Sequence, residues 1–215
     1  MSLRSFVSLG LLAACLVATG CRSAYYATWE KFGVEKRDLL KKRVVAARDE
    51  QQQAGEQFKD ALTRLKGMTG FGGGKLETTY KELKSDYDGC ASRADAVNKR
   101  VREMETVASD LFAEWEKELT QYNSPTLQAG SRQQLEATRQ RYQGMRTALL
   151  SAERAMIPVL TQFKDYVLYL KHNLNAQAIA SLKGESANIQ VEISKLIAQM
   201  NQSIAKADEF VRTMP

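Results

Sequence analysis

From Leu76 to Tyr122 the sequence keeps a single apolar register for more than six heptads and contains no proline. Leu76, Tyr80, Leu83, Tyr87, Cys90, Ala94, Val97, Val101, Met104, Ala108, Leu111, Trp115 and Tyr122 carry it, with Glu118 as a polar slot beside Leu119. A half-buried strand would alternate every second residue. Steps of four and three instead trace one stripe of an α-helix, the seam along which helices wind together. A helix from Lys75 to Tyr122 spans about 70 Å. A rod of that length cannot bury its own stripe, so the rest of the chain must supply partners.

The rest repeats the pattern. Leu40, Val44, Ala47, Ala54, Phe58, Ala61, Leu65 and Met68 form an earlier stripe, interrupted by Gln51. "MTGFGGGK" at 68–75, with four glycines, then breaks it and predicts a loop. "NSPTLQAGS" at 123–131, holding Pro125 and Gly130, predicts the next turn. A third stripe runs from Leu135 through Thr138, Tyr142, Met145 and Leu149 to Leu174, with Pro158 inside it as an expected kink. A fourth runs from Ile179 through Ile189, Ile193, Leu196, Met200 and Ile204 to Val211. Between the last two lies "KHNLNAQA", without Gly or Pro. Either Asn173 or Asn175 caps a new helix after a tight turn, or the helix runs on with a register shift. Three prolines in 215 residues, beside 44% hydrophobic and 26% charged, suit long helices. Long segments joined by short loops fold back antiparallel. The expected fold is therefore all-α: an elongated antiparallel helical bundle, or coiled coil, of three to four long helices over residues 34–215.

The first twenty residues have a different purpose. Arg4 and the N-terminal amine precede "FVSLGLLAACLVATG", an uncharged apolar run too short for a comfortable membrane span. Small residues then lead into Cys21, the pattern of a secretory signal peptide over residues 1–20. The ending Ala-Thr-Gly-Cys resembles the lipobox of bacterial lipoproteins. That resemblance implies a diacylglyceryl thioether on the Cys21 sulfur, cleavage before it, and an acyl group such as palmitate on the freed amine. Ala18 stands where the lipobox usually has Leu, and "LLAAC" at 11–15 is a competing box. Cleavage there would leave a short apolar core and put "LVATG" in the mature chain, so Cys21 is preferred. Several acyl chains exceed the two signals that stable anchoring needs. Arg22, where Asp would favour inner-membrane retention, implies the periplasmic face of the outer membrane. Cys90 is then the one thiol left, and an internal disulfide is impossible.

The resemblance extends further. "CRSAYYATWEKFGVEKRDLL", "LFAEWEKEL" and above all "VLYLKHNLNAQAIASL" resemble an uncharacterised family of proteobacterial lipoproteins known as DUF2959, along the whole mature chain. It implies a helical, lipobox-bearing protein and brings no activity, cofactor or catalytic residue.

Catalytic and metal chemistry find few residues to use. "TGFGGGKLETTY" fails as a phosphate loop: the first glycine position is Thr69, the hydroxyl position is Leu76, and no strand precedes it. His172 is the single histidine, which leaves no His-rich metal site and no ready triad. It is expected to cap the third helix or stand exposed. Glu114 and Glu116 flank Trp115 on the solvated side of the seam. Cys90 falls in the seam, which favours a buried, inert thiol over a redox one. No catalytic residue, metal or cofactor is expected.

Two features point to a surface. "KRDLLKKR" at 36–43 places Lys36, Arg37, Lys41, Lys42 and Arg43 around one Asp, soon after the lipid site. Basic residues beside an anionic bilayer gain about 1 kcal/mol each. The stretch is equally consistent with contact to membrane or anionic envelope polymer and with an ordinary solvated face. Tyr25, Tyr26, Trp29 and Phe32 in the lipidated segment 21–33 suit a lipid interface or the closing of the bundle's end.

The formal net charge of +6 falls to +5 without residues 1–20, whose one charge is Arg4. It does not choose between nucleic acid, anionic membrane and acidic polymer. The expectation is a non-enzymatic envelope lipoprotein with a structural, scaffolding or partner-binding role. Its partners would be the membrane, through Cys21, and a protein or anionic polymer. The alternative is a cytoplasmic coiled-coil protein associated with nucleic acid or nucleotide, for which the apolar leader has no use.

Overall fold

The computed structural model describes residues 35–67, 76–173 and 175–214. They form four helices: α1 (Lys36–Gly67), α2 (Leu76–Leu119), α3 (Pro125–His172) and α4 (Ala176–Thr213). Among the described residues there is no strand. The glycine-rich stretch 68–75 and the segment 21–33 lie outside the described residues.

Each stripe becomes a buried face. Leu40, Val44, Ala47, Ala54, Phe58, Ala61 and Leu65 of α1 are buried, as are Leu83, Cys90, Val97, Val101 and Met104 of α2. The helices form a closed ring in which α1 packs on α2 and α4, and α3 on α2 and α4. Their directions follow from the pairs across the seams. Lys36 meets Glu114, Arg43 meets Glu103 at 3.0 Å, and Arg64 meets Asp86, so α2 descends as α1 ascends. Arg139–Glu116 at 2.7 Å and Arg146–Glu105 at 2.6 Å set α3 antiparallel to α2. Arg48–Asp208 at 2.6 Å and the Gln51–Ser203 bond set α4 antiparallel to α1. The result is an up-down-up-down four-helix bundle.

The connections differ in detail from the sequence expectation. Pro125 is the first residue of α3 instead of part of a long turn, because a first-turn amide needs no intrahelical acceptor. Ser124 caps it, accepting from the Leu127 amide at 3.4 Å. Gly130 lies inside the helix. The turn shrinks to 120–124, and α2 stops at Leu119, leaving Tyr122 outside it and 42% exposed. The last carbonyls of α2 are met by Thr120 and by Gln128 Nε2, which donates to Leu119 O at 2.8 Å. At the other junction α3 ends at His172, so the tight turn is the correct alternative. Asn173 closes it, its backbone amide donating to Leu170 O and its Nδ2 to Tyr169 O at 2.9 Å. Pro158 sits on an exposed face, so water can serve the carbonyl whose amide partner it removes.

Two core positions depart from the simple stripe. Gln51 is fully buried instead of interrupting the seam. On α4 the buried series runs Met200, Ser203, Ala207, Phe210 and Met214, while Ile204 and Val211 are half-buried. The two departures answer each other: Ser203 Oγ donates to Gln51 Oε1, and Gln51 Nε2 donates across the bundle to Leu149 O at 3.0 Å. α3 departs in the same way: Val159 is buried, while Leu160, which keeps the 4-3 spacing between Met156 and Phe163, is half-buried.

Candidate functional site

The end of the bundle where α1 begins gathers the sequence-predicted surface residues that fall within the described chain. The N-terminus of α1, the C-terminus of α2, the 120–124 turn and the C-terminus of α4 all meet there. The basic stretch faces several directions, because about two helical turns distribute its five cations around the axis. Lys36 and Arg43 turn toward α2 and are bound by Glu114 and Glu103. Lys41 is half-buried, Lys42 is exposed, and Arg37 is 49% exposed with Asp38 3.8 Å away. Only part of the stretch therefore presents an outward face. Cys21, Tyr25, Tyr26 and Trp29 lie outside the described residues.

Next to these residues a cleft of about 280 Å³ is lined by Glu35, Lys36, Arg37, Leu111, Glu114, Trp115 and Glu118. Trp115 is fixed by donating its indole Nε1–H to Ser131 Oγ at 2.9 Å. The two acids flanking it do not form a carboxylate pair: Glu114 turns to Lys36 on α1, and Glu116 to Arg139 on α3. The hydrogen bond and the charge of Arg139 hold the Glu116 carboxyl below the usual carboxylate range. Arg139 also lies 5.4 Å from the ring centroid of Phe112, which begins an edge-to-face series through Tyr142 to Phe210. Two acids of α2 drawn apart by cations on different helices, Lys36 of α1 and Arg139 of α3, do not converge as glycosidic chemistry or metal binding requires.

The opposite end holds the thiol. Asp86 is buried at 4% exposure and takes Arg64 in a two-pronged ion pair, with Nε 2.7 Å from Oδ2. That hydrogen bond raises the Arg64 pKa. One turn on, Cys90 is fully buried. Burial first, and the Asp86 charge second, push its pKa up to about 12, so it stays a neutral thiol. His172 is exposed at the end of α3. Among the described residues no group of acids, cysteines and histidines could hold a metal ion, and no helix is long and apolar enough to cross a membrane.

One position escaped the sequence reading. Arg141 stands half-buried between α3 and α4, in a groove with Gly144 and Met145. Its place two residues from Arg139 gave no sign that the two arginines serve different seams.

These features define a class: an all-α, four-helix bundle protein, its core filled by its own side chains and its seams crossed by ion pairs. Within that class the chain belongs to the family described as "Protein of unknown function (DUF2959)", which matches residues 25–214. No curated protein and no solved structure matches it.

Proposed function

We propose that the protein is a lipid-anchored envelope protein, tethered through Cys21 to the periplasmic face of the outer membrane, with a non-enzymatic spacing, scaffolding or partner-holding role. One observation carries the role: the bundle's interior is occupied by its own side chains, leaving surface and length as what it can offer. The sequence of the leader carries the address, since an uncharged apolar run ending on a small residue and Cys21 suits export and lipidation. The architecture gives such a tether a direction. Cys21 precedes α1 by a short stretch of sequence, so the anchored end is the one holding the 120–124 turn. The C-terminus of α3 and the N-terminus of α2 would then stand about 70 Å away. Arg37 and Lys42 at the anchored end suit contact with an anionic surface.

Cys21→Ser tests the anchor. The wild type is expected in the membrane fraction, released by detergent and not by high salt, and the variant in the soluble fraction. A variant that stays with the membrane, or a wild-type N-terminus found uncleaved and free of fatty acid by mass spectrometry, would refute the proposal.

A further inference from the structure

The seams of this bundle follow a rule with one exception. Arg43, Arg48, Arg64, Arg93, Arg139 and Arg146 each reach a carboxylate on a neighbouring helix, at the α1/α2, α1/α4 or α2/α3 seam. Among the described residues no ion pair joins α3 to α4. Arg141 stands at that seam, half-buried. Its Nη2 donates only to the Thr138 hydroxyl at 3.2 Å, and its buried Nε has no partner among the described residues. An exposed guanidinium is served by water. A buried N–H without an acceptor costs stability, and a charged one costs more.

The same place is hollow. A groove of about 310 Å³ runs between α3 and α4, at the small end of ligand-site volumes. Met145 and Phe210, both buried, form its apolar floor. Its one acid, Glu209, is bound to Lys206 at 3.2 Å and does not reach Arg141. Gly144 keeps the wall open: a Cβ there would meet nothing within 4 Å.

We propose that this groove binds an organic anion with a carboxylate head and an apolar tail, the head pairing with Arg141 and the tail lying over Met145 and Phe210. A guanidinium matches a carboxylate through parallel N–H donors, and Arg141 lines the groove without a carboxylate of its own. Lys206 and Glu209 neutralise each other, which leaves Arg141 as the groove's net charge. The site is independent of the anchor at Cys21.

Octanoate and octanol, equal in chain length and different in charge, separate this from non-specific apolar binding. Each is titrated into the full-length Cys21→Ser chain while the Met145 methyl resonance is followed. Octanoate is expected to shift it saturably and at least about tenfold more tightly than octanol. Arg141→Gln should abolish that preference. Gly144→Leu, which projects into open space and so leaves the core intact, should block both probes. Equal affinity for octanoate and octanol, no saturable shift, a preference for octanoate that survives Arg141→Gln, or octanoate binding that survives Gly144→Leu in a folded chain would overturn the proposal.

Discussion

Gln51 shows how one polar side chain can be worth more inside this core than another leucine. Its amide is fully buried, accepts from Ser203 of α4 and donates to Leu149 O of α3. One residue therefore ties three helices at one level. An apolar stripe can slip by a turn at little cost, whereas a slip here would strand a buried amide, although the Ser203 hydroxyl keeps Met200 O as an acceptor at 2.8 Å. Gln51→Ala is expected to lower stability by about 2 kcal/mol, from lost packing and the lost hydrogen bonds to Ser203 and Leu149 O. Replacing both partners, as Gln51→Leu with Ser203→Ala, should recover most of that loss. Urea denaturation with an unchanged m-value checks both. A double variant no more stable than Gln51→Ala would mean that the polar pair is not what the single substitution removes. In the sequence Gln51 was visible as a polar residue on an apolar stripe, but its meaning was not, because its partners lie 98 and 152 positions away.

At the scale of the elements, helix identity was legible and helix limits less so. The 4-3 spacing gave four stripes and left open whether the last two lie on one helix or on two, since burial of a stripe follows from period alone. The ends depend on where orphan carbonyls and amides find partners, which a stripe does not report. Pro125 and Gly130 looked like turn residues, yet Ser124 as cap and Pro125 at the first position start α3 early. Ser124→Ala should cost about 1 kcal/mol of stability. The loss should be local: hydrogen exchange is expected to quicken at the first amides of α3 and to stay unchanged in the middle of α2. Uniform quickening along the bundle would show that the cap is not a local device. The turn at 173–175 carried a signal in its pair of asparagines, but Asn173 closes the helix before it, with two bonds to carbonyls of α3, where the sequence suggested a cap for the helix that follows.

For the whole molecule, four antiparallel rods in a ring make a shape that is long and narrow. The length of α3 sets a long dimension of about 70 Å. A compact domain of this chain length has a radius of gyration near 17 Å, and a rod of that length about 20 Å or more. Small-angle scattering of the monomer should give the larger value; the smaller one would exclude the extended bundle. The ring also decides which surfaces face each other. Lys36 and Arg43, part of a basic run in sequence, become internal fasteners to α2, while Arg141, one of several scattered arginines, is left facing a groove. The candidate surface at 36–43 was thus legible as charge, and its division into bound and outward members was not.

The sequence by itself determined that this chain is helical, where its stripes lie and that an uncharged apolar run ending on Cys21 precedes them. Those properties follow from spacing and local chemistry along one strand of residues. Only the tertiary structure decided which helices are neighbours, that Ser203 and not Ile204 enters the core, and that Arg141 at the α3/α4 seam meets no carboxylate among the described residues. Such outcomes depend on partners far away in the chain, where the cost of burying a polar group is settled by whatever the fold brings opposite it.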